Sequence, residues 1–245
     1  KYRYGFTATP DRQDGLGDMI NRLIGETLAV IESSEVLDVG GIVPARIMAM
    51  NTGMDYTKID TSKHGWTDFI DAVTTDQRRN SMVTDAAQKM AKEGRKVLVL
   101  TDRVEHAKAL AAILPDVLLI HGKMPMPARQ AAMSKVAEVQ ITVGTKGLLG
   151  EGLDCSVWSC LVMGTPMSGE TPLRQAVGRV IRPAPGKTDG VVVDMVDSHP
   201  FALGAWRKRK AVYRKNQWPV VDHQHTQGVP GMERPQVGKP QKIIG

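Results

Sequence analysis

The chain has 245 residues, 42% of them hydrophobic and 24% charged, enough to close the core of one large domain or two small ones. No apolar run approaches the roughly 18 residues that a membrane span needs, and two cysteines, Cys155 and Cys160, are too few for a disulfide framework or a four-ligand zinc site. The net charge of +6 favours polyanionic partners without naming one, and the sparse cysteines fit a reducing, intracellular compartment.

The first residues carry no basic-then-apolar leader. Tyr4 to Thr9 reads as a strand without a preceding partner, so its sheet is expected in a part of the protein that precedes Lys1. Residues 26–75 are mixed and turn-rich, with an extended stretch from Gly41 to Met50, and are expected to connect two lobes. Helical periodicity follows. Met82, Val83, Ala86, Ala87 and Met90 recur on one face before Gly94, and Val104, Ala107, Ala111 and Leu114 repeat the pattern before Pro115. Five strand-sized apolar runs stand among and after these helices: Val97 to Leu100, Val117 to Ile120, Gln140 to Gly144, Cys160 to Met163 and Val191 to Val196. Such runs, alternating with helices, predict an α/β fold, a parallel sheet with helices on both faces. A further helix is predicted with Thr171 as cap and Pro172 as its first residue, ending at Ile181 or Arg182 before Pro183. Past Pro219 the composition turns to Gln, Gly, Pro and His, too poor in apolar residues to fold alone.

Two constellations carry chemistry. The loop Gly144 to Asp154 holds four glycines in its first nine positions and follows a predicted strand, where open α/β sheets bind ligands. Glycine lets backbone amides approach phosphate oxygens, while Thr145 and Lys146 offer a hydroxyl and a cation, and Asp154 suits a ribose hydroxyl. An ordinary tight strand-to-helix loop accounts for the same residues equally well. In Gln175-Ala-Val-Gly-Arg-Val-Ile-Arg182, helical spacing places Gln175, Arg179 and Arg182 on one stripe, and Gly178 is expected to let that helix pack closely. Two guanidinium groups on one face match the oxygens of a γ-phosphoryl group, although a solvated basic face has the same pattern.

The order of motifs adds a resemblance. Phe6-Thr-Ala-Thr-Pro10 with Asp11-Arg-Gln-Asp14 looks like helicase motif III, and Val97-Leu-Val-Leu-Thr-Asp102 looks like motif IV. His121-Gly122 with Arg129 resembles the stretch that follows, Gly144 to Asp154 resembles motif V, and Gln175 to Arg182 resembles motif VI. Together they cover most of residues 1–200, and the chain resembles the carboxy-terminal half of a superfamily 2 helicase. The Thr-Ala-Thr-Pro-x-Arg-x-Asp signature and the Gln-initiated motif VI resemble the DEAH-like DNA translocases, compact phage and bacterial helicases included, more than the RNA-directed DEAD-box group.

The resemblance implies the end of a first RecA-like lobe at residues 1–25, an inter-lobe connection at 26–75 and a second RecA-like lobe at 76–200. A basic, aromatic helix at 201–218 and a polar tail at 219–245 would follow. ATP with Mg2+ would bind between lobes, held mainly by the missing first lobe, with Arg179 and Arg182 reaching the γ-phosphate and Gln175 sensing it. Glu151, Gly152 and Asp154 would sit near the nucleotide. Thr101, Arg103, Gly122, Arg129, Thr145 and Lys146 would line the face that binds DNA, or RNA, and Thr7 and Thr9 would couple hydrolysis to lobe movement.

The chain departs from a whole motor in having no Gly-x-x-x-x-Gly-Lys-Ser/Thr loop; Gly186-Lys-Thr188 has Ile181 where the first glycine is needed and is expected to be a turn. Asp194 and Asp197 are separated by Met195 and Val196 and are expected to be structural, so the fragment alone is expected to be inactive. Trp206 to Trp218 interleaves aromatics with Arg and Lys; helical spacing favours aromatics packed on the lobe and charges in solvent over base stacking. The rival to a motor half is a nucleic-acid or protein-binding module that works without ATP, or a motor subunit of a restriction or repair complex.

Overall fold

The computed structural model describes residues 4–6, 17–150 and 155–224. Helices α1 (Gly17–Ile24) and α2 (Ser33–Asp38) lead to strand β1 (Ala45–Asp55), followed by α3 (Trp66–Thr75) and α4 (Gln77–Lys92). Then come β2 (Val97–Thr101), α5 (Val104–Ile113), β3 (Val117–Ile120), α6 (Met126–Ser134) and β4 (Ile141–Thr145), which runs into a 3-10 turn, Lys146–Gly150. The order closes with β5 (Cys160–Met163), α7 (Glu170–Val180), β6 (Gly190–Ser198), α8 (Pro200–Lys215) and β7 (Val220–Gln224). The seven strands form one parallel sheet in the order β3-β4-β2-β5-β6-β1-β7. Among the described residues no helix is long and apolar enough to cross a membrane.

Side chains alternate across a strand, and the two faces of the sheet are covered differently. Val97 and Val99 of β2, with Val143 and Val162, pack against Val83, Ala87, Ala107 and Leu110 of α4 and α5. Leu98 and Leu100, with Leu161 and Met163, face Leu173, Ala176 and Val177 of α7 and Tyr213 of α8. Burial on both faces is why β2, β4 and β5 read as continuous apolar runs rather than alternating ones. Each fully buried leucine contributes about 1.5–3 kcal/mol by leaving water.

The span 26–75, expected as a connection between lobes, contains β1, which lies inside the sheet between β6 and β7. Ala45, Ile47 and Ala49 turn inward while Arg46 and Asn51 stay exposed. Alanine and methionine are weak strand formers, so this strand is carried by its pairing, Ile47 opposite Val192 and Val220. The residues just past Pro219 pair with β1 as an edge strand, which is how a short, apolar-poor segment acquires order. Helix α7 begins one residue before the predicted cap. Gly169 is the N-cap, Thr171 lies within the first turn, and the helix ends at Val180, so Arg182 stands beyond it.

Candidate functional site

Strand β2 feeds α5 on one face of the sheet, whereas the chain leaving β4 places Leu148 in the core on the opposite face. Adjacent strands that send their connections to opposite faces open a crevice at their carboxyl ends. Arg103, Gly122, Thr145 and Lys146 all lie at that edge, just beyond or at the ends of β2, β3 and β4.

Lys146 spans the crevice. Its Nζ pairs with Asp102 and donates to the Pro166 carbonyl at 3.3 Å. Burial holds the Lys146 ammonium below the usual lysine range, an effect that Asp102 partly offsets. Gly122 N–H donates to the Thr145 hydroxyl at 3.4 Å, joining the ends of β3 and β4. Arg103 pairs with Asp71 of α3 at 2.9 Å across a solvated surface. Arg129 of α6 is 9% exposed and donates to the Met126 sulfur at 3.2 Å.

Thr101 corrects the expectation that it lines this face. It is completely buried and bonded inward to His106 Nδ1 at 2.7 Å. Asn80 donates its Nδ2 to the Thr74 carbonyl, so its oxygen takes the proton on His106 Nε2 at 2.8 Å. His106 Nδ1 then accepts the hydroxyl proton of Thr101, which leaves none for an outside ligand. Burial, with Arg79 nearby, lowers His106 to about 4, so the ring stays neutral.

Helix α7 packs against the 3-10 turn after β4. Gln175 is exposed on it, and Arg179 is 8% exposed and close enough to Cys155 to act on its thiol electrostatically. Arg182, past the helix end, is half-buried. Gly178 does not serve close packing within the described residues: a methyl added there meets nothing within 4 Å. Gly190 does, because a methyl at the start of β6 would lie 2.6 Å from the Val180 carbonyl oxygen at the end of α7. Thr7, Thr9, Glu151, Gly152 and Asp154 lie outside the described residues.

The turn between β5 and α7 unites these groups, and sequence reasoning missed it. Arg79 donates to the Gly164 carbonyl, Lys146 to that of Pro166, and Arg209 to that of Met167, while the Thr165 hydroxyl accepts the Asp102 N–H at 3.0 Å. Two of those cations are themselves buried ion pairs: Arg79 with Asp197 at 3.0 Å, and Arg209 with Asp194 at 2.7 Å, where Tyr213 adds its hydroxyl. Asp194 and Asp197 are thus structural, each answered by a guanidinium. Among the described residues no group of three His, Cys, Asp or Glu side chains is placed to hold a metal. Lys187 of Gly186-Lys-Thr188 faces away from any phosphate role. Its Nζ donates to the Ser156 and Trp158 carbonyls, and burial lowers it to about 8.

Residues 79–184 match the helicase conserved C-terminal domain. Over that span the chain is similar to the C-terminal domain of helicases. The chain is 27% identical over 202 residues, 80% of its length, to a protein of Acanthamoeba polyphaga mimivirus named as an ATP-dependent RNA helicase. It is 29% identical over 134 residues, 52% of the chain, to a protein of Escherichia phage T5 named as a helicase. The chain spans 38% and 30% of those two relatives. A solved fragment named as the HsdR subunit of a type I restriction enzyme from Vibrio vulnificus superposes with a TM-score of 0.64 at 18% identity, covering 89% of this chain and 42% of that one. That likeness, with the seven-stranded parallel sheet, establishes the RecA-like fold of a helicase C-terminal lobe.

Proposed function

We propose that this domain is the second lobe of an ATP-driven, DEAH-like translocase or helicase acting on DNA, and that α7 supplies cations to a γ-phosphate held mainly by a first lobe. The observation that carries this reading is Arg179, a guanidinium held almost out of solvent on the helix that packs against the turn after β4. A cation presented to a γ-phosphate offsets charge that spreads over the transferred phosphoryl oxygens, a contribution of about 10³ to 10⁵ in turnover. ATP with Mg2+ supplies the phosphoryl group. The residues here fit only the phosphate side of such a site, and Mg2+ would be held by the first lobe. Arg182 would assist Arg179, Gln175 would report the γ-phosphate from its exposed position, and Glu151, Gly152 and Asp154 would border the nucleotide. Leu23, Leu28, Val30, Ile31 and Val39 stand exposed ahead of β1, which supports a neighbouring lobe against this region.

Arg103, Gly122, Arg129, Thr145 and Lys146 would form the strand-binding rim, with Thr101 holding it from inside through His106. Phosphate that draws Lys146 away from Asp102 and Pro166 removes one of three cationic holds on the turn that leads into α7. Strand binding would thereby bias the position of Arg179, a population shift that Thr7 and Thr9 would relay between lobes. The test is ATP turnover by the protein with both lobes, stimulated by single-stranded DNA or by RNA. DNA is expected to stimulate at least about tenfold more than RNA, a barrier difference near 1.4 kcal/mol. Stronger stimulation by RNA, in line with the name of the mimivirus relative, would overturn the DNA assignment, and none by either would leave a binding module.

A further inference from the structure

We infer that the outer face of α8 is a second phosphate-backbone contact, separate from the rim at the ends of β2, β3 and β4. The inference rests on the nucleic-acid reading above and extends it to a surface that no helicase motif covers. Its basis is where the charge of the chain resides. Helix α8 carries Arg207, Lys208, Arg209, Lys210, Arg214 and Lys215 and no Asp or Glu. Those six cations equal the whole surplus of the chain, 32 Lys and Arg against 26 Asp and Glu. The rest of the chain holds as many Lys and Arg as Asp and Glu, so the net surplus matches the cation content of this one helix.

Only Arg209 turns inward, to Asp194. The other five are exposed in two rows: Arg207, Lys210 and Arg214 along one ridge, Lys208 and Lys215 along the next, with Ala211 between them. At 1.5 Å of rise per residue each row extends about 10 Å, which suits a run of phosphates better than a single anion. Lys215 reaches Glu170 at 3.4 Å, and among the described residues no carboxylate pairs with Arg207, Lys208, Lys210 or Arg214. Trp206 packs against the core with Lys210 above its ring, as its helical spacing predicted, so the face offers charge to a ligand and no free ring to bases. Helix α8 lies against β6, two strands away from β2, so a strand crossing the rim and a duplex or a trailing strand along α8 occupy different surfaces.

The experiment measures binding of single-stranded and duplex DNA to the 245-residue chain between about 50 and 200 mM salt, where each phosphate contact contributes about 0.7 (single-stranded) to 0.9 (duplex) to the slope of log affinity against log salt. Replacing Arg207, Lys208, Lys210 and Arg214 together by Gln should weaken binding for any sequence and make the slope shallower by about 2 to 4. The single variants Arg207→Gln and Arg214→Gln should each remove about one contact, and they carry the test if the fourfold variant melts early. An unchanged slope in folded variants would overturn the inference. Lys146→Gln with Arg103→Gln reports on the rim. If only that pair weakens binding, α8 is a solvated face and the nucleic-acid reading stands. If only the α8 variants weaken it, the inference stands and the rim assignment fails; if the parent chain binds no DNA, both fall. Polyglutamate competing with DNA as effectively as unlabelled DNA would also overturn it, by making α8 a site for acidic protein.

Discussion

At the scale of single residues, the polar groups under the carboxyl edge of the sheet set the stakes. Arg79 and Asp197 are both wholly buried, and removing one leaves an uncompensated charge. Arg79→Met is expected to cost about 3–5 kcal/mol in urea unfolding, while Arg79→Met with Asp197→Leu recovers most of it; equal losses in both would show that the pair is not the origin. His106 gives a pH signature. Its folded-state value is near 4 against an ordinary 6.5, so in that interval the unfolded chain binds a proton that the folded chain does not. Stability should therefore rise with pH across the window and fall by up to about 3 kcal/mol on acidification from 6.5 to 4. His106→Gln should flatten that part of the profile, and an unchanged profile would contradict the assignment. The structural role of Asp194 and Asp197 was legible because Met195 and Val196 separate them. The inward turn of Thr101 was not, since its partner His106 lies on α5 and is in turn held by Asn80 of α4.

At the scale of elements, legibility followed burial. Strands buried on both faces announced themselves as unbroken apolar runs, and α4 and α5 as periodic ones. Strand β1, built of Ala, Arg and Met, and the edge strand β7 carry little intrinsic preference, and parallel pairing between distant segments leaves no local trace. The two glycines around α7 separate packing from propensity. Gly190→Ala forces a methyl onto the Val180 carbonyl and is expected to cost about 1–3 kcal/mol. Gly178→Ala meets open space in a helix and is expected to raise stability by up to about 1 kcal/mol. Denaturant midpoints check both; a loss at Gly178 would mean that the helix contacts something there.

At the scale of the whole molecule, the lobe works as a set of carboxyl-edge groups tied to one turn. Arg79, Lys146 and Arg209 hold residues 164–167 from three elements, so the approach to α7 is tied to two buried guanidinium groups and to Lys146 of the proposed strand-binding rim. The motif resemblances picked out α7 and the loop ends proposed as the rim, because those segments hold their residues contiguously. They did not locate the clamp, because Arg79 follows Arg78 and Arg209 stands in a run of cations, where nothing in the sequence distinguishes the buried member. The most direct test of the central claim is nucleic-acid-stimulated ATP turnover of Arg179→Ala and Arg182→Ala in the protein with both lobes, at saturating DNA. Turnover should fall by about 10³ or more for Arg179→Ala, and less for Arg182→Ala, with DNA affinity retained. Turnover at the parent's rate in both variants would contradict the assignment of α7 to the γ-phosphate.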